Sequence, residues 1–108
     1  MVVIMNTLII NLKSSQDRRD FQKKQFGKLG LDFEILEAFS VADLSEEQYQ
    51  KLGFGWQRPL RKVEVACFLS HQKAWEEVLK RSQPYLILED DSVLASNVKE
   101  ILSEIEQH

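Results

Sequence analysis

Three acidic residues in a row, Glu89, Asp90 and Asp91, directly follow the apolar run Tyr85, Leu86, Ile87, Leu88. Neighbouring carboxylates repel one another and lose hydration where a strand meets a core, so their charge calls for an offset. A hard divalent cation supplies one, because Mg²⁺ or Mn²⁺ takes oxygen ligands and typically joins one or two carboxylates to substrate phosphates. The plainer alternative is a solvated acidic turn ahead of a helix. A second group, Asp17, Arg18 and Arg19, offers guanidinium forks that match phosphate or carboxylate oxygens two at a time. Arginines on a first helical turn are also ordinary surface residues. His71 lies on an apolar helical stripe, where a hydrogen-bonded core histidine is the simpler reading than a base. Cys67 and Trp75 read most simply as core, and Trp56 as a lid or a packed plug.

The elements that would position these groups alternate along the chain. Residues 7–12 (TLIINL) are rich in β-formers and read as a buried parallel strand. A helix is expected over 16–29, capped by Ser14 or Ser15 and stopped by Gly30, with Phe21, Phe26 and Leu29 in one apolar arc. Residues 33–39 alternate as a second strand. Ser45 and Gln48 have capping-box spacing, Leu44 and Tyr49 stand where a hydrophobic staple closes, and that short helix should end near Gly53. A loop over 54–59 follows, with Gly55 and Pro59 as breakers.

The longest helix is expected from Lys62 or Val63 to Arg81. Cys67, His71, Ala74 and Val78 form one stripe, Glu64 points much as His71 does, and Phe68, Trp75 and Leu79 widen the apolar face. Pro84 precedes a continuous apolar run that reads as a central parallel strand, and Asn97 caps a last helix carrying Val98, Ile101, Leu102 and Ile105. Strands alternating with helices imply an α/β fold with a mostly parallel sheet. In such sheets ligands bind beyond the carboxyl ends of the strands, which is where 11–19 and 89–91 fall.

With 108 residues, 44% hydrophobic and 29% charged, the chain has the make-up of one globular domain, 1–108, and not of a disordered segment. A net charge of −3 argues against a general nucleic-acid binder. Six basic residues against two acids from Lys13 to Lys28 are either a solvated helix face or a positive field beside a phosphate site. One cysteine excludes an internal disulfide, and with two histidines it excludes zinc at the usual Cys/His spacing. The opening run Met1 to Ile4 lacks the basic flank and small-residue site of a signal peptide, and no stretch approaches the ~18 apolar residues of a membrane span. A cytoplasmic protein is expected, with a peripheral place at the inner face of the membrane as an extension.

In combination the motifs resemble glycosyltransferase family 25. Three blocks carry the likeness: Ile9-Ile10-Asn11-Leu12 with Asp17-Arg18-Arg19; Glu64-Val65-Ala66-Cys67-Phe68-Leu69-Ser70-His71 with Trp75; and Leu86-Ile87-Leu88-Glu89-Asp90-Asp91. Ala66 departs from the glycine usual in the second block. The resemblance runs from Thr7 to about Val93, and its specificity lies in the order and spacing of the blocks.

What the resemblance implies is a truncated GT-A-like (Rossmann-like) fold, a mostly parallel sheet flanked by helices, forming the N-terminal donor-binding half of the family domain. It implies transfer of a hexose, galactose foremost, from a UDP-sugar to a lipooligosaccharide or other glycan acceptor. Mn²⁺ or Mg²⁺ would be held by Asp91 and Glu89, with Asn11, Arg18 and Arg19 near the nucleotide and Glu64, Ser70 and His71 shaping the donor side. Asp90 or Glu64 is a conceivable base, although chain beyond His108 is the better source. A metal Lewis acid on the leaving diphosphate would assist an oxocarbenium-like transition state. Two rivals stand beside this reading. One is a non-catalytic remnant that binds a nucleotide sugar or only self-associates through an unpaired sheet edge. The other is a receiver-type signalling domain, whose acidic pair belongs after the first strand and not a late one.

Overall fold

The computed structural model describes residues 5–107, so Met1 to Ile4 and His108, and the reading of the opening apolar run, lie outside the described residues. The elements are β1 (Asn6–Asn11), α1 (Gln16–Leu29), β2 (Glu34–Glu37), a 3₁₀ turn (Val41–Asp43), α2 (Glu46–Leu52), α3 (Lys62–Arg81), β3 (Tyr85–Glu89) and α4 (Val98–Gln107). The three strands form a parallel sheet in the order β2-β1-β3, giving the expected α/β architecture with helices flanking the sheet.

β1 takes the centre of the sheet and is the most deeply buried of the three strands. Thr7, Leu8, Ile9, Ile10 and Asn11 are all buried. Successive side chains of a strand point to opposite faces. On one face Ile9 joins Phe26 of α1, Leu31, and Val98 and Leu102 of α4, with Leu86 and Leu88 packed against them. Phe26 and Phe33 meet with ring centroids 4.8 Å apart. Each fully buried side chain of this size contributes roughly 1.5–3 kcal/mol. On the other face α3 packs over β1 through Val65, Ala66, Ser70 and Ala74, all buried.

Several expectations are corrected. Among the described residues the run before Glu89 forms an edge strand and not a central one: β3 pairs there only with β1, and four of its five residues are half-buried. Phe21 is exposed, and Gln22 takes the buried position one residue on. On α3 the buried arc runs through Ala66, Ser70 and Ala74, one residue's rotation from the expected stripe. Cys67, Phe68, Trp75 and Leu79 are therefore exposed. The face that meets β1 is the one that carries Val65, Ala66, Ser70 and Ala74, and Ser70 is tied there to Phe39 by hydrogen bonds. Trp56 is exposed too, its indole N–H donating to the Leu52 carbonyl at 3.0 Å. The second strand covers only 34–37 of the expected 33–39.

The turns follow the sequence more closely. Ser45 and Gln48 make the full capping box of α2. Ser15 stands at the start of α1 without a side-chain cap, its carbonyl instead accepting from the Asn11 amide at 3.2 Å. At the other end Gly30 adopts φ 65°, and the Leu31 N–H reaches back to the Phe26 carbonyl at 2.9 Å, closing a Schellman turn. Asn97 supplies its backbone carbonyl to the Glu100 and Ile101 N–H groups at the head of α4.

Candidate functional site

The site is built where β1 and β3 end side by side. Their register pairs Ile9 with Leu88 and Ile10 with Glu89, so the acidic run emerges beside the turn that leaves β1. Strand alternation then divides the carboxylates between the two faces. Glu89 turns to α3, Asp90 turns to α1, and Asp91 is exposed at the mouth.

Asp90 is the buried member. Its Oδ2 accepts from the Asn11 amide at 2.9 Å and its Oδ1 from the Arg18 guanidinium at 3.1 Å. Arg18 remains largely exposed, so this ion pair holds the arginine at the cavity without burying it. The Asn11 amide is itself fixed, because its Oδ1 accepts from Arg19 Nε at 3.0 Å. Arg19 also donates to Gln16 and to the Lys13 carbonyl, which shapes the turn between β1 and α1. Asn11 and Arg19 thus organise the turn, whereas Arg18 lines the cavity.

Glu89 is held from the other side. Its Oε1 lies 3.2 Å from His71 Nε2 and accepts from the Cys67 thiol at 3.4 Å. The His71 hydrogen bond, with that of Cys67, holds the Glu89 carboxyl below its ordinary range. Partial desolvation of the otherwise exposed thiol, and then the neighbouring Glu89 carboxylate, push Cys67 up.

Between these groups opens a cavity of about 250 Å³. Arg18, Asp90 and Asp91 border it on one side, and Cys67, Ser70, His71 and Glu89 on the other. Phe39, Ser40 and Val41 close a third wall. Ser70, buried on α3, positions that wall: its Oγ accepts from the Phe39 N–H at 2.8 Å and lies 3.0 Å from the Ala66 carbonyl. Lys73 adds a bond to the Glu37 carbonyl at 2.9 Å.

Glu64 is placed elsewhere. It forms the head of α3, where Arg58 grips both its oxygens at 3.0 and 2.9 Å and the Arg61 backbone N–H donates at 3.0 Å. Those bonds, Arg58 first, hold its carboxyl at about 2. It does not line the cavity, and its expected alignment with His71 brings no contact between them.

Two residues that shape the site escaped the sequence reading. Gln22, fully buried, donates to the carbonyls of Asp90 and Ser92 at 3.0 and 2.9 Å. Gln25 donates to the Ser92 carbonyl at 3.1 Å and accepts from the Leu94 N–H at 2.7 Å. Together they clamp the acidic loop to α1. The available signal was Gln22 on the same helical face as Phe26 and Leu29, a polar side chain at a core position.

Comparison with known proteins agrees with this architecture. Residues 4–108 match the model of glycosyltransferase family 25, described as LPS biosynthesis protein. The chain belongs to glycosyltransferase family 25. Among similar family members is the lacto-N-neotetraose biosynthesis glycosyltransferase LgtE of Neisseria gonorrhoeae, 32% identical over 103 residues, which cover 93% of this chain and 37% of LgtE. LgtB of the same organism is 32% identical, with the same coverage of both chains. Procollagen galactosyltransferase 1-B of Xenopus laevis is 34% identical over 93 residues, covering 77% of this chain and 15% of that protein. The family 25 chain described here therefore spans little more than a third of its neisserial relatives' length. No helix among the described residues is long and apolar enough to cross a membrane.

Proposed function

We propose that this chain carries the donor-binding part of a GT-A-type hexosyltransferase that moves galactose from UDP-galactose to a hydroxyl of a lipooligosaccharide or another glycan. The observation that carries the reading is the shared cavity at the carboxyl ends of β1 and β3, with the acidic run on one strand and Arg18 beside the other. Relatives whose names specify galactosyl transfer and lacto-N-neotetraose biosynthesis support the choice of sugar and acceptor class. A cytoplasmic protein, peripheral at the inner face of the membrane where a lipid-linked acceptor would be presented, goes with that proposal.

The chemistry divides among the residues as follows. Transfer forms a bond from the acceptor oxygen to the anomeric carbon and breaks the bond to the diphosphate oxygen, through an oxocarbenium-like transition state. Arg18, anchored on Asp90 yet largely exposed, is suited to fork onto diphosphate oxygens. Asn11 and Arg19 keep the turn in place for it, and Ser70 and His71 shape the sugar side. The carboxylates of Asp91 and Glu89, hard oxygen donors on one cavity, fit a Mn²⁺ or Mg²⁺ ion. Bound there, the ion would supply Lewis-acid stabilisation to the leaving diphosphate.

Pockets that enclose a small molecule commonly hold ~300–1,000 Å³. At about 250 Å³ the cavity suits the diphosphate and sugar end of the donor better than the whole nucleotide. Of the two carboxylates considered as base, Glu64 is a weak proton acceptor near neutral pH because its arginine partners hold it at about 2. Asp90 lines the cavity but has an oxygen committed to each of Asn11 and Arg18, which assigns it to positioning Arg18.

The test is calorimetric titration of UDP-galactose into the chain with and without Mn²⁺, beside Asp91→Asn. Metal-dependent heat in the wild type that disappears in the variant is the expected result. Equal binding by both proteins, or none by either, would remove the donor site.

A further inference from the structure

Cys67 and His71 stand one turn apart on α3, and Glu89 closes β3 opposite them. The thiol sulfur, an imidazole nitrogen and a carboxylate oxygen all lie within 4.8 Å of one another. We propose that these three side chains form a binding site for a borderline-soft divalent cation, Zn²⁺ in the first place, which shares Glu89 with the hard-ion site but does not use Asp91.

The distances carry the argument. Zn²⁺ binds thiolate sulfur at ~2.3 Å, imidazole nitrogen at ~2.0–2.1 Å and carboxylate oxygen at ~2.0–2.2 Å in a tetrahedron. Those lengths and the tetrahedral angle put sulfur and oxygen about 3.5 Å apart, and nitrogen and oxygen about 3.3 Å apart. In the structure Cys67 Sγ lies 3.4 Å from Glu89 Oε1, and His71 Nε2 lies 3.2 Å from the same oxygen. Both distances to Glu89 are close to those that a common tetrahedral centre requires, and the sulfur and the imidazole nitrogen lie within 4.8 Å of each other.

Ligand type points the same way. One thiolate, one imidazole and one carboxylate suit zinc, whereas Mg²⁺ and Mn²⁺ favour oxygen ligands throughout. The usual spacing rules miss such a site because its third ligand comes from a different element, 18 residues beyond His71. All three residues line the cavity. Three protein ligands with the fourth position open to a cavity are the pattern of zinc centres that take water or a substrate oxygen. Binding forms the sulfur–zinc bond and breaks the Cys67 S–H bond, the proton going to bulk water. The site does not rest on the transferase reading, since a metal titration needs no sugar nucleotide.

The experiment titrates the metal-free full chain, under reducing conditions, with Co²⁺ as a spectroscopic stand-in for Zn²⁺. The expected result is a near-ultraviolet sulfur-to-cobalt charge-transfer band that saturates at one equivalent and is abolished by Zn²⁺. Cys67→Ser, at an exposed position, should lose the band and keep the fold by circular dichroism. His71→Ala and Glu89→Gln should weaken Zn²⁺ by at least the roughly 10–100-fold that loss of a group hydrogen-bonded to a ligand costs. Asp91→Asn should keep the band even where it loses metal-dependent UDP-galactose binding, which separates this site from the donor site. No charge-transfer band in the wild type, an unchanged band in Cys67→Ser, or loss of the band in Asp91→Asn would each overturn the proposal.

Discussion

The Asp90 carboxylate accepts the Asn11 side-chain amide at 2.9 Å, joining the ends of two parallel strands whose residues stand 79 positions apart in the chain. Asn11 is almost fully buried, and its Oδ1 and Nδ2 are engaged by Arg19, Ser15 and Asp90. A buried polar group stripped of its partner costs about 1–3 kcal/mol. Asn11→Ala is therefore expected to destabilise the chain by about that amount, since it leaves an Asp90 oxygen without its donor. Urea unfolding reads the difference, and a loss below about 0.5 kcal/mol would mean that water replaces the amide freely.

Gln22 should act on the same loop from behind. Gln22→Ala removes the donor shared by the Asp90 and Ser92 carbonyls, and a cost of about 1–3 kcal/mol is expected if both stay shielded from water. Hydrogen exchange would locate the effect: the Leu94 amide, held by Gln25, should exchange faster in the variant. Unchanged protection at Leu94 would show that Gln25 holds the loop without help.

The Glu64 cluster gives a pH signature. Its carboxyl is depressed from an ordinary 4.5 to about 2, chiefly by the Arg58 hydrogen bonds. A depressed carboxylate contributes stability that is present above its unfolded value and is lost as the pH falls through its folded one. Wild type should therefore melt above Glu64→Gln at neutral pH, and the gap should close between pH 4.5 and about 2. Melting curves recorded in parallel test this, and a gap that persists at the acid end contradicts it.

Gly30 closes α1 at φ 65°, a conformation that costs an L-residue roughly 1–2 kcal/mol. Gly30→Ala should destabilise by about that much, and Gly30→Asn by less, because asparagine tolerates the left-handed region. The Lys99 ammonium, 2.9 Å from the position of an added Cβ, is the end of a flexible chain and can swing aside. Equal stability of the alanine and asparagine variants would show that backbone strain is not the cause.

How much of this was legible in the sequence differs from element to element. The extent of α1 was readable, since Gly30 is a punctuation residue and local signals suffice for a helix stop, although the expected serine side-chain cap is not made. The capping box at Ser45 and Gln48 was readable for the same reason, all its partners lying within one turn. β3 was placed correctly along the chain but wrongly in the sheet, because an apolar run does not say how many strands flank it. The facing of α3 was missed by about one residue. Helical periodicity defines a stripe, but Cys67, Ala66 and Ser70 compete for the inward direction, and only tertiary packing decides among them.

The sequence by itself determined the alternation of elements, the family, and the fact that an acidic run and an arginine pair both follow strands. Those depend on neighbours in the chain and on the order of motifs. The tertiary structure alone decided the rest. It sent Glu89 to Cys67 and His71 and Asp90 to Asn11 and Arg18, drew Glu64 away to Arg58, and buried Gln22 beneath the loop. The reason is geometric: adjacent residues at a strand end leave on opposite faces, and what each then meets is set by helices 18 or more residues away in the chain.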